Sequence, residues 1–192
     1  MKPLPTELTT KLMDAADASS IGIGIDMSID DLAKTSEVPR ATLYYYFSGK
    51  EDLVQFYVGE MMRRSNEAVA VAIARGGTPS ERLEGVMRAM LKTFADYPRI
   101  CVEMSASIKF LQNYGPVMAE IERGAVAPIV AVMGEGNDSG EFDIADPIAA
   151  ALTIMGGLHM VATMDIVRDG GLDAEARATT LIPLLMRGME AR

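Results

Sequence analysis

Residues 28–53, Ser-Ile-Asp-Asp-Leu-Ala-Lys-Thr-Ser-Glu-Val-Pro-Arg-Ala-Thr-Leu-Tyr-Tyr-Tyr-Phe-Ser-Gly-Lys-Glu-Asp-Leu, spell two short helices, a tight turn between them and the start of a third. Ser28 is placed to cap the first helix, Asp31 completes a capping box, and Ile29, Leu32 and Ala33 face inward. Pro39 suits the first turn of the second helix, where its missing N–H would have had no partner. Ser48, with Glu51 three residues on, predicts the next cap. Spacing divides the second helix into faces. Leu43 and Phe47 share the one that joins Leu32, Ala33 and Val38 as framework, while Arg40 and Tyr44 share another. A helix pair whose second member is short, exposed and polar-aromatic is the helix-turn-helix arrangement suited to a DNA major groove. In that groove Arg40 has the fork for a bidentate pair with guanine, and Thr42 reaches a phosphate or a thymine methyl. The competing reading of Tyr44, Tyr45 and Tyr46 is a run divided between core and solvent.

The bulk numbers look unfavourable to such a surface. The 192 residues carry a net charge of −9, and phosphate attraction supplies most non-specific DNA affinity. Residues 1–64 hold seven Lys/Arg against ten Asp/Glu, yet residues 38–50 contain Arg40 and Lys50 and no acid. A locally positive face on an acidic body is expected, with reliance on base and backbone hydrogen bonds. Nearly half the residues are apolar and 6% aromatic, with Ala and Met prominent, a mixture that favours helix over sheet. The single cysteine, Cys101, excludes an internal disulfide framework. No apolar signal core opens the chain, and no uninterrupted apolar run approaches 18 residues. A soluble cytoplasmic protein with no membrane partner is the expectation.

An all-α fold of about nine helices follows from periodicity and caps. The first covers about 5–19, with Leu8, Leu12 and Ala15 or Ala16 on one face. The fourth covers about 50–75, turns Leu53, Tyr57, Met61 and Val69 inward and stops at Gly76-Gly77. Thr78-Pro79-Ser80-Glu81 is a capping box opening a fifth helix with Leu83, Val86, Met87, Met90, Leu91 and Phe94 on its apolar face. A sixth runs from Arg99 to about Phe110. A seventh starts at Gly115-Pro116, carries Val117, Met118, Ile121, Val126, Ile129 and Val130, and should kink at Pro128. Residues 134–146 read as a loop. Asp146 caps the eighth helix, which ends at Gly170-Gly171, and Asp173 caps a ninth that reaches about Met189 despite Pro183.

Outside the first quarter the chemistry is sparse. His159, the single histidine, can hydrogen-bond a small molecule or report pH; the plainer reading is a packed histidine. Cys101, beside Val102 and Met104, reads as buried filler rather than a redox switch. One His and one Cys give no metal-ligand cluster, and neither metal nor cofactor is expected. Met87, Met90, Met104, Met118, Met155, Met160 and Met164 fall on the later helices, where thioethers suit either irregular cavities or ordinary packing. Gly156-Gly157 weakens the eighth helix by about 1 kcal/mol per residue, which a close helix approach would offset.

Asp-Leu-Ala, the short turn, Thr-Leu-Tyr-Tyr-Tyr-Phe and Lys-Glu-Asp-Leu together resemble the tetracycline-repressor (TetR) family of bacterial transcription regulators over about residues 8–60. Beyond that the likeness is one of length and helical layout. Glu37 stands where the family most often has Gly, Pro39 where it often has Ser, and residues 18–27 lack the usual Phe and Arg-Gly pattern. The resemblance implies a DNA-binding domain over 1–50 and an effector and dimer domain over 51–192, joined through the helix at 50–75. It implies that Thr42, Tyr44 and Lys50 hold the DNA backbone, that Arg40, Ala41 and Tyr45 read bases, and that Tyr46 belongs to the same surface. It further implies an effector pocket, for which Met87, Met90, Phe94, Met104, Tyr114, Met118 and His159 are candidates. The last two helices would form a four-helix dimer interface, with Leu152, Gly156, Gly157, Leu181, Leu184 and Leu185 as candidates alongside Ala149. The alternative for Gly156-Gly157 is a close contact within the subunit. The implied function is that of a homodimeric repressor released from a palindromic operator by a small, largely apolar effector. The rival is an enzyme or binding protein built around Cys101, His159 and Tyr114, for which no nucleophile, base and orienter assemble in the sequence.

Overall fold

The computed structural model describes residues 3–18, 28–106 and 115–189, and among these the chain is helical throughout. In chain order the helices are α1 (Thr6–Ala18), α2 (Ile29–Ser36), α3 (Arg40–Tyr46), α4 (Lys50–Ala74), α5 (Pro79–Asp96) and α6 (Pro98–Ala106). Then come α7, α8 (Pro147–Asp169) and α9 (Ala174–Arg187); α7 runs from Gly115–Ile121 through a π-helical segment, Glu122–Val126, into Ala127–Ser139. Residues 19–27 and 107–110, where the sequence reading placed an atypical linker and the end of the sixth helix, lie outside the described residues.

α1, α2 and α3 close over the start of α4. Leu12, Met13, Leu32, Leu43, Phe47, Leu53 and Tyr57 are buried together. Phe47 meets Phe56 edge-on at 5.5 Å, and the Tyr57 hydroxyl donates to the Leu12 carbonyl at 3.1 Å. The first two turns of α4 are therefore part of the N-terminal core, beyond the boundary at residue 50 that the motif suggests. Further along, Met61, Ser65, Val69 and Ala72 of the same helix are buried as it pairs lengthwise with α5. α9 packs on the far side of α5, while α8 lies across α5, α6 and α7.

The capping boxes form as read: Asp31 N–H to Ser28 Oγ at 3.1 Å, and Glu81 N–H to Thr78 Oγ1 at 3.2 Å, each with its return bond. Asp146 and Asp173 accept from Ala149 and Ala176 N–H, both at 3.0 Å. Other junctions differ. Pro39 is the cap residue of α3 rather than its first helical residue, and gives no side-chain bond. The cap of α4 is Gly49; the Ser48 N–H donates to the Asp52 carboxylate at 2.7 Å, so Asp52, not Glu51, closes that end. The predicted loop at 134 starts only at Gly140, whose left-handed φ of 79° ends α7. Gly134 and Gly136 stay helical, and at Gly136 the Phe142 ring fills the place a Cβ would take, so that position requires glycine within the helix. Asn137 then clasps Ile144 through both backbone groups, at 2.8 and 3.0 Å.

Pro128 also acts otherwise than as a simple kink. The disturbance lies just upstream, as the π-helical turn at 122–126. A proline lacks the N–H for an α-helical bond and its ring crowds the carbonyl four residues back, so one wide turn relieves both. Gly124 sits in that turn, and a Cβ there would overlap the Asn66 side chain of α4.

Candidate nucleic-acid interface and interior cavity

α3 stands on its framework with one face to solvent. Leu43 and Phe47 are fully buried, whereas Tyr44 is 50% exposed and Tyr45 60%. Arg40 and Ala41 are exposed on the same helix, and Thr42 is half-buried. Tyr46 departs from the expected surface: it is half-buried against the core and meets Tyr45 edge-on at 5.0 Å, because three residues after Leu43 the helix has turned back inward. Lys50, half-buried, opens α4 beside the end of α3.

The turn before α3 rests on Glu37, which adopts φ 53° and ψ 27°, the left-handed conformation. Among the described residues it is the one non-glycine with positive φ. A side chain in that region costs about 1–2 kcal/mol. The turn thus keeps the shape that a glycine would give it, at an energetic cost. Ser36 just before it is buried and returns its hydroxyl to the Leu32 carbonyl at 2.6 Å.

The expectation of a locally positive face needs correction. Asp30 of α2 forms an ion pair with Arg40, accepts the Tyr44 hydroxyl at 3.3 Å, and so gathers two of the candidate DNA contacts on one carboxylate. The Arg40 guanidinium also lies 5.6 Å from the Tyr44 ring centroid. Asp30 was invisible as a partner in sequence because the relevant acid comes from the preceding helix, ten residues upstream.

The second candidate site is a cavity of about 180 Å³ between α4, α5, α7 and α8. Met62, Ser65 and Asn66 line it from α4, Met90 and Phe94 from α5, Ile121 and Ala125 from the π-helical region, and Met155, Gly156 and His159 from α8. Three of the seven pocket candidates, Met90, Phe94 and His159, are thus brought together. Met87 is buried in the core outside the lining, about one turn before Met90 on the same apolar face of α5. Met118 is on the surface, 43% exposed. The Met104 side chain and the whole of Tyr114 lie outside the described residues. Met62, Ser65, Asn66, Ile121, Ala125, Met155 and Gly156 were missed as lining, and for Asn66 and Ala125 the signal was indirect: Gly124 followed by Pro128 marks a helix that must deform.

His159 is fixed by two contacts. Its Nε2 lies 3.0 Å from the Cys101 carbonyl oxygen, and its ring is 5.4 Å from that of Phe94. Cys101 is fully buried, its Sγ 3.7 Å from the Thr163 hydroxyl, and burial pushes its thiol up to about 11. A thiol so placed is an unreactive packing group.

The candidates for an interface between subunits lie on an open face. Ile148, Leu152, Met160, Met164 and Val167 of α8 and Leu184 of α9 are exposed. Gly156 and Gly157 sit in the same stretch with nothing within 4 Å of where a Cβ would be, so no close approach among the described residues explains the pair. Leu181 and Leu185 are half-buried beneath. α8 is also long and apolar enough to cross a membrane by length and composition, but it packs along α5, α6 and α7 within the helical body.

Residues 12–55 match the family described as bacterial regulatory proteins, tetR family, and residues 76–189 match the tetracyclin repressor-like C-terminal domain. The chain belongs to the tetR family. An uncharacterized HTH-type transcriptional regulator of Mycobacterium tuberculosis (strain H37Rv) is 34% identical over 103 residues, covering 50% of this chain and 48% of that protein. The chain spans about half the length of the curated relatives it matches. The fatty acid degradation regulator FadR of Bacillus halodurans has a TM-score of 0.78 at 22% identity, covering 100% of both chains. FadR of Bacillus subtilis, in complex with stearoyl-CoA, gives 0.76 at 23% identity over 93% of this chain and 98% of that one. The ketosteroid transcriptional regulator KstR2 of Mycobacterium tuberculosis gives 0.74 at 17% identity, over 99% and 98%. At these identities the likeness extends to the fold of this tetR-family chain.

Proposed function

We propose that this tetR-family protein is a cytoplasmic homodimeric repressor that binds a palindromic operator through α3 and is released by a small, largely apolar effector. The observation that carries the reading is the exposed face of α3, where Arg40, Ala41, Tyr44 and Tyr45 project from a capped and buried framework. Arg40 and Ala41 face base edges, Tyr45 reaches further along the groove, and Thr42, Tyr44 and Lys50 hold phosphates. Asp30 presets Arg40 and Tyr44, so that docking exchanges one set of polar partners for another. The exposed apolar stretch of α8, with Leu184 of α9, is the surface that a second copy covers. α4 couples the two ends, since its first turns belong to the N-terminal core and Met62, Ser65 and Asn66 to the cavity wall. An effector that binds better to the conformation with mis-spaced recognition helices weakens operator binding by that difference in affinity.

The enzymatic rival gains nothing from the geometry. His159 spends one ring nitrogen on a backbone carbonyl and the Cys101 thiol is held protonated by burial. Selection from a random duplex pool tests the DNA reading. Inverted repeats with half-sites about one helical turn apart, or a multiple of it, are expected. Asymmetric sequences or no enrichment would end it.

A further inference from the structure

The cavity's polar groups have their hydrogen-bonding roles fixed by the backbone around them. The Asn66 amide nitrogen lies 3.2 Å from the Glu120 carbonyl oxygen and 3.4 Å from the Glu120 carboxylate. Neither oxygen donates here, so Nδ2 faces them and Oδ1, an acceptor, has no protein partner among the described residues. The same reasoning applies to His159. The Cys101 carbonyl can only accept, so Nε2 carries the proton; in the neutral ring Nδ1 is then a lone pair, also without a partner among the described residues. Ser65 is 6% exposed and lines the cavity, and its hydroxyl makes no hydrogen bond to any described residue. None of the three is sealed from solvent, since Arg82 Nε is the only fully buried unpaired side-chain atom among the described residues, so each is open to a partner that enters the cavity.

From this we infer the chemical class of the ligand: an uncharged, compact, mainly apolar molecule bearing a hydroxyl or N–H donor. The inference rests on the regulatory reading for its biological role but not for its chemistry. Two of the three free groups only accept, and serine can do either, so a ligand that pairs with all three brings a proton. No Lys, Arg, Asp or Glu is among the described lining residues, which leaves an anion facing two lone pairs with no counter-charge from them. A thioester or ester carbonyl would find a donor in Ser65 alone. Size sets a second limit. An apolar cavity of about 150 Å³ holds benzene, so about 180 Å³ suits a substituted ring, and the greater part of a long acyl chain would lie outside it. Met62, Met90, Phe94 and Met155 supply an apolar bed for that ring, with thioethers that adapt to its edge.

The full-length chain at pH 8 can be titrated calorimetrically with six probes: 4-propylphenol, its methyl ether, 4-propylbenzoate, 4-propylbenzylamine, toluene and stearoyl-CoA. The phenol should bind most tightly and exceed its methyl ether by about 3- to 10-fold, the usual effect of a neutral hydrogen bond. Ser65→Ala, which leaves helix α4 free to form, should shrink that preference several-fold while toluene binds as before. His159→Phe should do the same if it folds, checked by its circular dichroism. Equal binding of phenol and ether, tighter binding of the benzoate, the amine or stearoyl-CoA, or no binding by any probe would overturn the assignment. Release of a selected DNA duplex is read separately. Phenol binding without release keeps the ligand class and removes the regulatory reading; release by stearoyl-CoA alone does the reverse.

Discussion

The α3 face and the cavity are built in opposite ways. The DNA-facing end concentrates its chemistry in a run of consecutive residues, Arg40 to Tyr46, held by a framework that lies within about ten residues on either side. The cavity draws ten residues from four helices spread between Met62 and His159, no two of its polar groups sharing a motif except Ser65 and Asn66. A site of the first kind is written locally and depends on caps and helix phase. A site of the second kind exists only once α4, α5, α7 and α8 have packed.

The largest break in the comparison should come from the framework of the first site. Phe47→Ala removes a fully buried ring that meets Phe56, and should destabilise the protein by about 3–5 kcal/mol. Tyr45→Ala, two residues away on the exposed face, should change stability by less than about 0.5 kcal/mol. Urea titrations of the two variants check this, and similar losses for both would mean that α3 does not present the face described.

Next in size is an equivalent test on the second site. A methyl on Gly124 would overlap the Asn66 side chain, so Gly124→Ala should cost about 1–3 kcal/mol by overpacking. It should also disturb the cavity while leaving the N-terminal core intact, which amide exchange resolves helix by helix. Uniform loss of protection across both ends would show that the two regions fold as one unit. For DNA, Arg40→Ala should cost about 1–3 kcal/mol and relax preference at one base position, measured by repeating the duplex selection. An unchanged selected sequence would shift the reading role to its neighbours.

The smallest effect concerns the turn. Glu37→Gly relieves a left-handed side chain worth about 1–2 kcal/mol, but glycine gives back about 0.5–1 kcal/mol in unfolded-chain entropy. A net gain of about 0.5 kcal/mol is expected, visible as a rise of about 1–2 °C in Tm. A drop would mean that the Glu37 side chain makes a contribution of its own.

What could be read in advance follows the same division. Caps, apolar faces and breaks gave the helices, since Ser28, Thr78, Asp146 and Asp173 act within three residues of themselves. The exposed face of α3 followed from the phase of Leu43 and Phe47. The ion pair of Arg40 with Asp30 did not, because it joins two helices whose relative rotation depends on the turn at Glu37. Met90, Phe94 and His159 could be marked as candidates by type and helix, but not separated from Met87, which shares the face of α5 that carries Met90 and Phe94 yet lies a turn beyond the end of the cavity. The extension of α7 past Gly134 and Gly136 was hidden because two glycines read as a helix end, whereas Gly136 answers to the Phe142 ring, a contact that no local rule supplies.

The wide turn in α7 has a consequence for how such a chain changes over generations. An α-helix advances about 100° per residue, and a π-helical turn carries one residue more than the α turn it replaces. Everything from Ala127 onward is therefore rotated by about one residue's step relative to Gly115–Ile121. The early half packs on α4, and the late half serves α5 and α8. Loss of a single codon within 122–126 would close the helix into a plain α-helix and turn the later half to a different side, with every side chain in it unchanged. In this region the reading frame of the helix, rather than the identity of any residue, is what a small deletion or insertion would rewrite.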